Sequence, residues 1–137
     1  MNEQTTNYSE AKRFSVIKRF KSLTHASRGL YVFLKTQHNA WVHVATAIIV
    51  IILGFYFSVS TAEWSILIFS MGFVLSAEAF NSAIEIDIDL TSPDYHPYAR
   101  DTKDVAAGAV LIAFITALFI YAIVFGTRLV TLLHAYL

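Results

Sequence analysis

The sequence predicts an all-α integral membrane protein: three transmembrane helices preceded by an amphipathic surface helix. Three observations carry that expectation. The chain of 137 residues is 56% hydrophobic and only 15% charged, with a mean hydropathy of +0.56, well outside the range of soluble domains. Three apolar runs, about residues 40–58, 64–88 and 104–125, are each long enough at about 1.5 Å per residue to cross about 30 Å of hydrocarbon. Seven of the 10 Lys and Arg residues (Lys12, Arg13, Lys18, Arg19, Lys21, Arg28 and Lys35) precede the first of these runs.

Taken in order, residues 1–10 are polar and expected to be disordered. Residues 11–36 interleave those basic residues with Phe14, Ile17, Phe20, Leu30, Phe33 and Leu34 at near-helical spacing, the pattern of a helix lying in the membrane interface with Gly29 as a hinge. Such an arm suits an anionic cytoplasmic surface rather than nucleic acid. The first span starts too far along the chain for a cleaved signal peptide. The connection at residues 58–63 holds no Lys or Arg, whereas the arm and the loop at residues 89–103 do, so the N-terminus is expected inside and the C-terminus outside. Pro93 and Pro97 mark the second loop as turn-rich, and residues 127–137 read as a short helical tail. The chain has no cysteine, which excludes disulfides, thiolate zinc sites and a cysteine nucleophile.

Span two contains residues that its surroundings disfavour. A carboxylate at mid-bilayer costs on the order of 3 kcal/mol, yet Glu78 and Glu85 both lie within this run. At about 100° per residue, Glu85 and Asp89 fall within about 20° of Glu78, Ser82 about 40° away and Asn81 about 60° away, so one polar stripe runs towards the cytoplasmic end. Asn81 and Ser82 alone are explicable as interhelical hydrogen-bonding groups; two glutamates point to chemistry. They stand about 10 Å apart along the axis, so shared ligation of one ion is disfavoured, and one as metal ligand with the other as base fits better. Asp87 falls on the opposite face. Beyond the loop, His96, Arg100, Lys103 and Asp104 lie at or before the expected start of span three, where a helix N-terminus favours phosphate. Lys103 suits phosphate oxygens, and Asp104 suits a cap or a metal-linked group, although basic residues flank most cytoplasmic span ends. His38, His43 and His134 read as interfacial. Walker, HExxH, GxSxG and soluble-kinase motifs are absent.

The stretch Ala77-Glu78-Ala79-Phe80-Asn81-Ser82-Ala83-Ile84-Glu85, then Asp89, Tyr95-His96-Pro97 and Lys103-Asp104-Val105-Ala106-Ala107-Gly108-Ala109-Val110, resembles the bacterial diacylglycerol kinase and undecaprenol kinase family. An E-x-x-N-[ST]-A-I-E pattern is joined at the expected distance to K-D-x-A-x-x-A-V, and the resemblance extends over about residues 12–126, including Arg28-Gly29-Leu30. It implies an ATP- and Mg²⁺-dependent kinase of a membrane lipid alcohol in the bacterial inner membrane, a homotrimer with active sites between subunits. The sequence itself shows no pattern that singles out three copies. By the same resemblance Glu78 would be the general base, Glu85 a metal ligand, and Asn81 and Asp89 supports of metal and nucleotide. Lys103 would contact the transferring phosphate, Asp104 would complete the polar network, and Asp94 and His96 would lie near the nucleotide. Gln37 stands where the family usually has a second metal-binding glutamate, and Trp41 where related sequences often carry arginine. The expected function is therefore a lipid kinase acting on diacylglycerol or undecaprenol, with a lean to undecaprenol from His96-Pro97 and the segment 104–108. The alternative is an impaired, structural member of the family.

Overall fold

A computed structural model describes the backbone of residues 16–136 and the side chains of residues 20–134. The disorder expected over residues 1–10 and the first residues of the surface arm lie outside the described residues. The described chain is all-helical: α1 (Val16–Thr36), α2 (His38–Tyr56), α3 (Thr61–Thr91) and α4 (Pro97–Tyr136). The last three are long and apolar enough to cross a membrane. Contacts divide the chain into residues 1–32 and 33–137. The first unit is mostly α1, which is helical without interruption through Gly29, so no hinge forms there.

The break falls instead at Gln37, whose extended backbone (φ −104°, ψ 110°) separates α1 from α2. Two hydrogen bonds hold the corner. The Gln37 N–H donates to Phe33 O at 3.0 Å, and Trp41 Nε1 donates to Leu34 O at 2.9 Å, satisfying a carbonyl that a helix end leaves without an intrahelical partner. Trp41 therefore has a local structural task in this chain.

The α2–α3 turn closes tightly. The N–H of Val59 donates to Gly54 O and that of Ser58 to Phe55 O, both at 3.1 Å, the pair of bonds that ends a helix in a Schellman motif. Ser58 takes the left-handed position (φ 49°) that usually belongs to glycine, and Val59, next in line, is buried. Ser60 then caps α3: its side chain accepts from the Glu63 N–H while the Glu63 carboxylate accepts from the Ser60 N–H.

The packed core of this unit lies along α3, which packs chiefly on α4 and less on α2. One face of α3 is buried: Leu67, Ser70, Met71, Val74, Glu78, Asn81 and Ser82. Their spacing is helical. Facing it, α4 buries Ala106, Ala113, Ala117 and Val124, small side chains that let two helices approach closely. Leu67, Met71, Val50, Val59 and Val124 form one cluster, and Val74, Ala113 and Ala117 a second. The remaining faces expose large apolar groups such as Ile52, Phe69, Phe119 and Ile123, as a lipid-embedded surface requires.

Helix ends differ from the hydropathy pattern. α3 runs on to Thr91, and α4 starts at Pro97 rather than near residue 104. Hydropathy marks only the hydrocarbon portion of a helix, and proline at the first helical position needs no N–H partner. The polar residues 97–103 are thus two turns of helix, not loop. At the other end the expected separate tail is a continuation of α4. Arg128 there donates two bonds to the Glu63 carboxylate, both at 2.8 Å, tying the start of α3 to the far end of α4.

Candidate active site

The apolar upper part of the α3 stripe gives way at Glu78 to a polar part on the same buried face. Glu78 is 3% exposed and Asn81 7%. Ser82 donates to Glu78 O at 2.8 Å, which satisfies its hydroxyl within the helix and frees the side chains around it. Asn81 Nδ2 donates to Glu85 Oε1 at 3.1 Å, orienting that carboxylate from one turn away. Among the described residues Asn81 Oδ1 is buried and finds no hydrogen-bond partner. A buried acceptor in that state costs about 1–3 kcal/mol, so the site is incomplete without a donor or a cation.

Glu78, Asn81 and Glu85 open on one cavity of about 330 Å³, walled by α2 and α4. From α2 come Asn39, Val42 and His43; from α4, Ala107, Val110, Leu111 and Phe114. Val42 and Leu111 are 60% and 58% exposed, so the rim on that side is apolar and outward-facing. Gln37 does not line this cavity; Asn39, two residues on, does.

A second cavity of about 360 Å³ lies where α3 ends and α4 begins, lined by Asp89, Asp94, His96, Arg100, Lys103 and Asp104 together with the turn at residues 92–95. Lys103 pairs with Asp89, joining the two helices, and Arg100 pairs with Asp104 at 3.5 Å along α4. The carbonyl of His96 accepts the first bond of α4, from the Arg100 N–H at 3.1 Å. The N-terminal end of α4 therefore lies at residues 97–100. Asp104, expected as a possible cap, opens the third turn of α4 and caps nothing; like Lys103, it belongs to the helix body. Asp89 lies one turn beyond Glu85 on the same stripe, so α3 carries both cavities.

The site residues expected from sequence thus fall into two groups: Glu78, Asn81 and Glu85 around the first cavity, and Asp89, Asp94, His96, Lys103 and Asp104 around the second. Asn39 and Phe114 were not singled out in the sequence, and His43 was read there as interfacial. The signal for Asn39 and His43 was present, since Asn39, His43 and Thr46 recur at helical spacing within an otherwise apolar span.

Among the described residues no cluster of three or more His, Cys, Asp or Glu is assembled for a metal ion. The first cavity nevertheless offers oxygen only at its acid end: two carboxylates and the unpartnered Asn81 Oδ1. That set fits a hard cation such as Mg²⁺, which keeps waters and takes phosphate oxygens alongside one or two carboxylates.

Helices long and apolar enough to cross a membrane, with buried Glu78 and half-buried Glu85 beside a cavity lined by three aspartates, His96, Arg100 and Lys103, fit one class of protein, a membrane lipid kinase. A family model described as prokaryotic diacylglycerol kinase matches residues 24–125, and the chain belongs to that family. It is 38% identical to the undecaprenol kinase of Bacillus subtilis (strain 168) over 110 residues, 80% of this chain and 89% of that protein. It is also 32% identical to the diacylglycerol kinase of Helicobacter pylori (strain J99) over 113 residues, 82% of this chain and 85% of that one. With the diacylglycerol kinase of Escherichia coli (strain K12) it shares 29% identity over 96 residues, 65% of this chain and 79% of that one.

Proposed function

We propose that this kinase transfers the γ-phosphate of ATP to the primary hydroxyl of a lipid alcohol at the cytoplasmic face of the inner membrane, as a homotrimer with its N-terminus inside. The observation that carries this reading is the buried Glu78 carboxylate opening on a cavity with an apolar, outward-facing rim. A lipid hydroxyl entering there meets a base without leaving the membrane. Its oxygen forms a bond to the γ-phosphorus, the bond from that phosphorus to the ADP oxygen breaks, and the hydroxyl proton passes to Glu78.

Glu85, held by Asn81, and Asn81 Oδ1 would hold Mg²⁺ with the nucleotide phosphates, and Gln37, which stands outside this cavity, would take no part. When bound, the ion offsets charge on the transferring phosphoryl group. Lys103 and Asp89 hold phosphate and nucleotide at the second cavity, with Asp94, His96 and Asp104 around them. Undecaprenol is the acceptor we place ahead of diacylglycerol, a choice supported by the similarity to the Bacillus subtilis protein.

The test is transfer of labelled phosphate from ATP, with Mg²⁺, to undecaprenol and to diacylglycerol in mixed micelles, by the wild-type protein and by Glu78→Gln. Transfer to one lipid is expected, with the variant slower by about 10²-fold or more, the usual worth of a general base. Transfer to neither lipid would sink the reading. Equal rates would remove Glu78 from its role.

A further inference from the structure

We infer that His43 is a substrate-binding residue that holds the oxygen of the acceptor hydroxyl, opposite Glu78. The inference rests on the lipid-kinase reading above and adds to it a residue on a different helix. His43 is half-buried in the second turn of α2 and lines the same cavity as Glu78, Asn81 and Glu85. Its ring stands tilted against Phe114, centroids 6.0 Å apart, and makes no hydrogen bond to another described side chain or backbone group. Both rings also line a slot of only about 10 Å³ beneath the cavity, against Met71, Val74 and Ala117. That slot is too small to admit more than a single water. His43 and Phe114 are therefore the partition at which the cavity stops.

Hydrogen-bond supply points to what His43 does. Glu78, Glu85 and Asn81 Oδ1 present acceptors, and none of them can donate to a ligand oxygen when the carboxylates are ionised. An alcohol that gives its O–H to Glu78 keeps lone pairs that need a donor. The α2 wall supplies two such donors, the Asn39 amide and the His43 imidazole N–H; of the two, His43 is the one whose ring stands against Phe114. The alcohol then sits between an acceptor on α3 and a donor on α2, with its chain leaving past Val42 and Leu111 into lipid. The arrangement requires only neutral imidazole and involves no proton transfer at His43.

The experiment compares His43→Leu and His43→Gln, measuring KM separately for the lipid alcohol and for ATP, with thermal unfolding in detergent as the check on folding. Gln keeps an N–H donor near the same place; Leu keeps the bulk alone. We expect His43→Leu to raise KM for the lipid alcohol about tenfold, the worth of one hydrogen bond at the upper end of the neutral range. His43→Gln should stay within about threefold of wild type, and KM for ATP should move in neither. An unchanged lipid KM in His43→Leu, equal losses in both variants, or a parallel rise in KM for ATP would overturn the inference while wild-type transfer leaves the kinase reading standing. Wild-type protein that phosphorylates no lipid would overturn both. If His43→Leu fails to fold, the ring ¹⁵N resonances of the wild-type protein, assigned by loss of the His43 signals in His43→Gln, decide: a shift on adding the alcohol without ATP supports the contact, and no shift removes it.

Discussion

Gly54→Ala tests how closely α2 and α3 are fitted at the turn that joins them. A β-carbon placed on Gly54 would stand 2.6 Å from Trp64 Cη2, 2.8 Å from Cζ2 and 3.2 Å from Cζ3. Ordinary carbon contacts are about 3.5–4.0 Å, so the near edge of the indole's six-membered ring must retreat by about 1 Å. It has little room, because Phe55 lies against it with ring centroids 5.0 Å apart and Trp64 packs on the cluster of Val50, Leu67 and Met71. Overpacking of this kind costs about 1–3 kcal/mol. Against it stands the gain in helix propensity from glycine to alanine, about 1 kcal/mol or less. The clash is expected to win, with net destabilisation of about 1 kcal/mol, read as a lower unfolding midpoint in a denaturing-detergent titration. In a Trp64→Leu background the obstructing ring is gone, and the same substitution should become neutral or stabilising. A Gly54→Ala protein as stable as wild type, or a loss of equal size in both backgrounds, would refute the argument that the indole lies on this glycine.

Two further substitutions probe other parts of the molecule. Ser58→Val places a β-branched residue at φ 49° and should cost about 1–2 kcal/mol, seen in the same titration, with KM for ATP unaltered. Lys103→Gln removes the cation that pairs with Asp89 beside the interfacial cavity. Loss of a charge-assisted phosphate contact of about 1.5–3 kcal/mol should raise KM for ATP about tenfold to a hundredfold at saturating lipid, and an unchanged value would exclude Lys103 from the nucleotide site.

The spans and the acid stripe were legible because both rest on large energies. A run of some twenty apolar residues has few alternatives to a membrane helix, and two glutamates inside one demand an account. The limits of the helices were less legible, because residues 97–103 are polar in sequence whether helical or not, and Pro97 reads as a breaker until it is seen at the first helical position. Gly29 looked like a hinge, but the corner formed at Gln37, where Trp41 supplies a side-chain bond across seven positions that no local pattern reveals. The bond between Glu63 and Arg128 joins residues 65 apart, and α4 had to be seen as one continuous helix before that pairing made sense. His43 was passed over because a single histidine near a membrane surface is usually interfacial; only the cavity puts it beside Glu78.

The apolar rim formed by Val42 and Leu111 also bears on what concentration means for this enzyme. A site entered sideways from the bilayer samples its acceptor as a fraction of the surrounding lipid molecules, not as an amount per volume of buffer. Adding inert phospholipid at fixed total acceptor thins out encounters in the plane and slows the reaction, while adding more water leaves those encounters unchanged and dilutes only ATP. On the proposed function, the rate thus follows membrane composition for the lipid and bulk solution for ATP, two substrates arriving from spaces of different dimension and meeting along one face of α3.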